Sequence, residues 1–255
     1  MREDAVVARL RAAGCVFAED EARLLHDAAG TPAELAALVN RRVAGEPLEQ
    51  VLGWAEFCGL RIAIEPGVFV PRQRTGFLVR VAAGLAASHP IVVDVCCGSG
   101  AIVAALAAAL GRIELYAVDV DPAAVRCARR NLGSAAHVYQ GDLDAPLPVT
   151  LRGRVDLLVA NVPYVPSAAI ALMPPEAREH EPRLALDGGT DGLDVLRRVA
   201  AAAPAWLAPG GHLLIETSQA QVPAAVGAYT GAGLVARVAT DEDLGATVLI
   251  GTRRA

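Results

Sequence analysis

The sequence contains no lysine; all 23 of its basic residues are arginine. That absence excludes a Schiff-base lysine, a lysine general base and a phosphate loop of the GK[ST] kind. Aromatic residues are also scarce, at 4% of a chain that is 54% hydrophobic. The interior must therefore be built from Ala, Val and Leu, and a ring placed near polar groups carries information. The five cysteines (Cys15, Cys58, Cys96, Cys97, Cys127) contain no CxxC pair. An odd, scattered set of that kind suits a reducing compartment better than a disulfide framework. The histidines show no HxH or HExxH spacing and adjacent cysteines chelate poorly, so no metal site is expected.

Long apolar runs are missing too. The alanine-rich stretches at 101–110 and 199–208 are too short, or too interrupted by Arg and Pro, to span a bilayer. The opening "MREDAVVARL" is too charged for a signal peptide. A net charge of -5 lacks the basic character of a nucleic-acid binder. These features together give the expectation of a soluble, cytoplasmic protein. A length of 255 residues fits one large α/β domain with a small appendage.

Helical periodicity runs from residue 1 to about 45. It includes "TPAELAALVNRRVAG", with Thr31 as N-cap, Pro32 in the first turn and Gly45 as a stop. From "EPLEQVLG" to "RIAIEPGVFVP" the period shifts towards alternation, which predicts a hairpin. Beyond a helix near 75–87, strands and helices alternate, beginning with "IVVDV", "AIVAALAAAL" and "IELYAVDV". Repeated βαβ units predict a mainly parallel sheet with ligands at the carboxyl ends of its strands, and the final two strands predict one antiparallel member. The expected divisions are a helical domain at 1–47, a hairpin connector at 48–74 and an α/β domain at 75–255.

The first strand runs into "DVCCGSGA", where Gly98 and Gly100 let backbone approach a ligand and a helix N-terminus follows. A dinucleotide site wants GxGxxG, but the third glycine position is Val103. An S-adenosylmethionine site, with no pyrophosphate to hold, suits the loop better. Asp119 ends the second strand, where a carboxylate can accept ribose hydroxyls. Asp142 follows the third and could accept from an adenine amino group, with Leu143 supplying backbone. A lone Asp at a strand end is more often a cap or turn former, and Asp121 before Pro122 reads as that helix's cap. The order of the glycine loop and two acids along one crevice favours the ligand reading.

The fourth strand delivers "NVPY", residues 161–164, to the same edge. An Asn and a Pro after a strand usually make a turn. Beside a methyl donor they can do more. A planar sp² nitrogen is a weak nucleophile, so its N–H groups must be held and its lone pair aimed. The Asn161 side-chain oxygen and the Val162 carbonyl supply two acceptors, Pro163 stiffens the loop, and the Tyr164 ring can flank a planar acceptor.

These segments resemble the class I S-adenosylmethionine-dependent methyltransferases of the HemK/PrmC group, which methylate the N5 amide of glutamine in peptide chain release factors. A related branch acts on a ribosomal protein. The resemblance covers about residues 40–255 and is carried by "RRVAGEPLEQVLGWAEFCGL", "PGVFVPRQRT", "VVDVCCGSGAI", "NVPY" and "HEPRLALDGGTDGLDVL". It implies a Rossmann-like methyltransferase fold with a C-terminal antiparallel strand and a small N-terminal helical domain on which the protein substrate docks. It implies S-adenosyl-L-methionine bound by Asp94, Cys96, Gly98, Gly100, Asp119, Asp142, Leu143 and Asn161. It implies an acceptor site of Asn161, Val162, Pro163 and Tyr164, with Arg72, Thr75 and Glu181 as substrate-loop candidates. The chain departs from the family at Val162, where the motif is usually NPPY, and at Cys96, commonly Gly. In the connector, Gln73 and Arg74 replace the usual Pro and acid, and Gly76 a customary Glu. Two rival readings remain: a nucleic-acid amino methyltransferase of the N6-adenine type, and a cofactor-binding protein without catalysis.

Overall fold

The protein is described by a computed structural model covering residues 2–255. It begins with three helices, α1 (Glu3–Ala12), α2 (Ala18–Ala28) and α3 (Pro32–Val43). Thr31 caps α3 as its sequence predicts: its hydroxyl accepts the Glu34 N–H at 3.2 Å, and the Glu34 carboxylate accepts the Thr31 N–H at 3.1 Å. Gly45, at φ +99°, ends the helix. Val6, Leu10, Leu25, Leu35 and Val39 form a core separate from that of the sheet.

The next segment differs from the expected alternation, because Leu48–Leu52 forms a short helix, α4. Its Val51 is buried in the core of the three-helix bundle. By packing, α4 therefore belongs with the bundle, and tertiary burial overrides a window too short to carry a period. The hairpin follows as β1 (Trp54–Phe57) and β2 (Leu60–Ala63), antiparallel with Phe57 opposite Leu60. Its two turn residues, Cys58 and Gly59, have φ of +51° and +76°, the left-handed pair that matches strand twist.

The remaining elements are α5 (Gly76–Leu85), β3 (Ile91–Val95), α6 (Ala101–Leu110), β4 (Glu114–Asp119), α7 (Pro122–Leu132), β5 (His137–Gln140) and β6 (Val155–Ala160). They continue with α8 (Pro175–His180), α9 (Arg183–Leu186), α10 (Asp194–Trp206), β7 (Leu207–Thr217), α11 (Val222–Gly231), β8 (Val235–Asp241) and β9 (Ala246–Thr252). The large sheet has the order β5-β4-β3-β6-β7-β9-β8, and β9 runs antiparallel to both its neighbours. Every residue of β3 is buried, as its continuous β-branched run requires. Its side chains divide between two cores: Val93 and Val95 face α10 and α11, and Val92 faces α5 and α6.

Strand order departs in opposite directions from β3, to β4 on one side and β6 on the other. That reversal opens a crevice at the carboxyl ends of these strands. Among the described residues, no helix is long and apolar enough to cross a membrane.

Candidate active site

The loop after β3 turns back on itself through left-handed backbone at Cys96 (φ +62°), Gly98 (+56°) and Gly100 (+78°). Cys96 thus occupies a conformation that glycine adopts freely and a side chain resists, by roughly 1–3 kcal/mol. Asp119, at the end of β4, fastens this loop: its Oδ2 accepts the Gly98 N–H at 2.8 Å and its Oδ1 accepts the Asp121 N–H at 2.9 Å. Burial nevertheless pushes its carboxyl above the usual range, against the pull of those donors. Asp121 in turn accepts the Ala123 N–H at 2.8 Å and caps α7, as its position before Pro122 predicts.

The crevice opens into a cleft of about 240 Å³, far above the ~10–15 Å³ that one water needs. It is sized for an organic ligand. Cys96, Gly98, Asp119, Asp142 and Leu143 line one part of it. Asn161, Val162, Pro163 and Tyr164, with Arg72 and Thr75, line another. Sequence-distant residues of both expected subsites are therefore brought to one cavity.

Three expected residues stand outside the lining. Gly100 begins α6 against α7, where an added Cβ would lie 3.1 Å from Leu132 Cδ1 and 3.3 Å from Ala128 Cβ, so helix packing accounts for it. Glu181 lies behind the cleft, accepting from Arg72 at 2.6 Å and from the Val70 N–H at 3.3 Å. Asp94 is fully buried beneath the loop, and neither of its carboxylate oxygens has a partner. Burial, then the nearby Asp119 charge, raises its carboxyl well above the ordinary range. An orphaned buried carboxylate calls for a donor, and a cationic amine entering the cleft is the chemistry that satisfies it. The residues present therefore fit S-adenosylmethionine, whose methionine part carries such an amine.

Asp142 is not idle, because Arg198 of α10 donates to its Oδ2 at 2.7 Å. That pair is exposed and worth under about 1 kcal/mol, so a ligand amino group can displace it. Burial raises the thiols of Cys96 and Cys97 above their usual value, which keeps them protonated and unreactive.

On the acceptor side, the Asn161 Nδ2 lies 3.5 Å from the Thr75 hydroxyl oxygen. Its Oδ1 has no hydrogen-bond partner among the described residues and remains an acceptor. The Val162 side chain is buried in the core beside Leu193 and Leu196, which anchors the loop. The Tyr164 hydroxyl receives a hydrogen bond from Arg74, whose Nε donates to buried Glu216 at 2.9 Å.

The glycines of "DGGTDG" explain how this loop is held. Gly188 donates to the Val165 carbonyl at 2.9 Å, and Val165 donates to the Leu186 carbonyl at 3.0 Å. A Cβ on Gly188 would lie 2.6 Å from the Gly192 carbonyl oxygen and 2.7 Å from that of Pro163. The segment can lie this close to NVPY only without a side chain.

Phe69, Arg74 and Arg198 also line the cleft and were not singled out as site residues in the sequence. The scarcity of rings was a usable signal for Phe69. Arg198 sits within a regular helix and offers none. Trp54 and Trp206 do not line the cleft; Trp206 is buried and donates from its ring N–H to Asp144 at 2.9 Å.

Comparison with known proteins places this geometry. A family model described as a methyltransferase domain matches residues 92–179. A solved methyltransferase structure from Pyrococcus furiosus superposes with a TM-score of 0.59 at 16% identity, covering 85% of this chain and 98% of that one, which establishes the shared fold. A 4-amino-L-phenylalanine/4-methylamino-L-phenylalanine methyltransferase from Streptomyces pristinaespiralis is 40% identical over 72% of this chain and 65% of its own length. A release factor glutamine methyltransferase from Geobacter sulfurreducens is 41% identical over 79% of this chain and 72% of its own length. At that identity and coverage, the chain belongs to the release factor glutamine methyltransferase family.

Proposed function

We propose that this chain is a cytoplasmic enzyme that moves a methyl group from S-adenosylmethionine to the side-chain amide nitrogen, N5, of a glutamine in a peptide chain release factor. The observation that carries the reading is the meeting of the NVPY loop and the Asp119-fastened glycine loop in one cleft. Relatives that bear this activity in their names, over most of the chain, support the substrate. Five cysteines without a disulfide suit a reducing compartment.

When bound, S-adenosylmethionine supplies a methyl on a positively charged sulfur, open to in-line displacement. Asp94 would hold its amine, Asp119 its ribose hydroxyls, and Asp142 its adenine amino group. The Asn161 Oδ1 and the Val162 carbonyl accept the two N–H groups of the glutamine amide, turning its lone pair towards the methyl. Tyr164 flanks the amide plane. Catalysis is then mainly positioning, an effect worth on the order of 7–11 kcal/mol for well-oriented reactants. No strong base is needed, because the methylated nitrogen readily loses its extra proton to water.

The N-terminal bundle docks the release factor. Its contact with α8, next in the chain to the cleft-lining segment, supports that role: Arg42 of α3 pairs with Glu176 of α8, and the Gln50 amide donates to the His180 carbonyl at 3.3 Å. The α8–α9 segment lines the cleft through Leu184, Ala185 and Leu186, so a partner on the bundle adjoins the acceptor site.

A second reading comes from the aromatic-amine relative. To decide, purified protein and labelled cofactor are offered to intact release factors, ribosomal proteins, DNA, RNA and free 4-aminophenylalanine, and the methyl is located by mass spectrometry. Label on a release-factor glutamine is the expected result. Label confined to nucleic acid or to the free amino acid would overturn the proposal.

A further inference from the structure

Beside the cleft lies a second pocket of about 460 Å³ that shares Arg74 and Tyr164 with it as a common wall. Its far side is built from Glu216 and Thr217 at the end of β7 and from Asp241, Glu242 and Thr247 around the β8–β9 turn. We propose that this pocket is a subsite for a positively charged side chain flanking the acceptor glutamine in the substrate protein. The inference rests on the glutamine-methylation reading and extends it to sequence preference.

Three observations carry it. The first is an unsatisfied acceptor: Glu216 is 3% exposed, its Oε1 is taken by Arg74 at 2.9 Å, and its Oε2 is buried without a partner. Buried polar atoms are nearly always paired, so this oxygen lacks a donor that a ligand can bring. The second is charge. The lining holds three carboxylates, those of Glu216, Asp241 and Glu242, against the single guanidinium of Arg74. Arg80 pairs with Asp241 as well, which leaves one carboxylate in excess and no welcome for an anion. The third is continuity. A chain that places its glutamine beside Tyr164 needs only to pass Arg74 to set a neighbouring side chain in this pocket.

Arg74 and Tyr164 together form the wall between the two cavities. The Arg74 guanidinium donates to Glu216 Oε1 and to the Tyr164 hydroxyl, and leaves Glu216 Oε2 without a donor. Charge-assisted hydrogen bonds to a guanidinium or ammonium are the strong kind that set preference.

The test uses the full-length protein and synthetic peptides carrying one glutamine, with Arg, Ala or Glu at each flanking position in turn. At one position, kcat/KM with Arg should exceed that with Glu by about tenfold, carried mostly in KM. In the Glu242→Arg variant that ratio should fall to near one or invert, and Glu216→Gln should also lower it. Cofactor binding in both variants, read by calorimetry, shows that the fold survives. Glutamine methylation that is indifferent to flanking charge, or a preference that persists in Glu242→Arg, would overturn the subsite while leaving the methylation reading intact. Cofactor binding without transfer to any peptide or release-factor glutamine would overturn both.

Discussion

The carboxylate of Asp119 accepts the backbone N–H of Gly98 at 2.8 Å, joining the end of β4 to the loop that follows β3. One side chain thereby fastens the glycine loop and presents an acid to the cleft. Asp119→Ala should strand the Gly98 and Asp121 donors and destabilise the protein by about 1–3 kcal/mol, while weakening cofactor binding. Denaturant unfolding and calorimetry measure the two effects separately.

The Asn161 Oδ1 has no hydrogen-bond partner among the described residues, and its Nδ2 makes only a 3.5 Å approach to the Thr75 hydroxyl. Asn161→Ala should lower kcat by on the order of 10²-fold, the scale of a misplaced reactant. Cofactor affinity should change little. Unchanged turnover in single-turnover kinetics would remove Asn161 from the mechanism.

Val162 makes no backbone N–H hydrogen bond among the described residues, so proline removes none there. If the position works through its carbonyl, Val162→Pro should preserve kcat and stiffen the loop. A large loss of activity would show that the valine side chain, buried in the core, does more than anchor.

Gly188 predicts the opposite outcome. Its added Cβ would meet the Pro163 carbonyl oxygen at 2.7 Å, a backbone atom that can yield only by moving the acceptor loop. Gly188→Ala should therefore cost on the order of 10²-fold in kcat with about 1–3 kcal/mol of stability. A crystal structure of the variant would show the shift directly.

Asp94 links the site to pH. Its carboxyl is raised by burial and by Asp119, so between the ordinary carboxylate value and the raised one the folded state binds more protons than the unfolded chain. Stability from this group therefore falls as pH rises through that window. A cationic ligand favours the carboxylate, so cofactor affinity should climb over the same range. Asp94→Asn should flatten that climb, weaken binding by about tenfold, and become more stable relative to the native protein as pH rises. Calorimetry and thermal unfolding across pH check both signs.

Much of this was legible in the chain. "IVVDV" coincides with β3 because a fully buried strand reads as a near-continuous apolar run. Thr31, Pro32 and Asp121 mark helix starts because capping is local chemistry. The α4 helix was not legible, since what makes Leu48–Leu52 helical is Val51 entering a core supplied by residues far away in sequence. The same distance hid the Arg198–Asp142 pair and the Arg74–Glu216–Tyr164 chain.

The sequence by itself determined the alternation of strands and helices, the glycine loop, the order of Asp119 and Asp142, and NVPY at a strand end. Periodicity, turn chemistry and capping act over a few residues, so they are written where they act. Only the tertiary structure decided that Asp94 lies buried and unpaired, that Gly100 packs helices, and that Gly188 makes room for the Pro163 carbonyl. Those facts depend on which segments the sheet order brings within a few ångströms of one another, and burial and close packing are properties of neighbours rather than of any one stretch of chain.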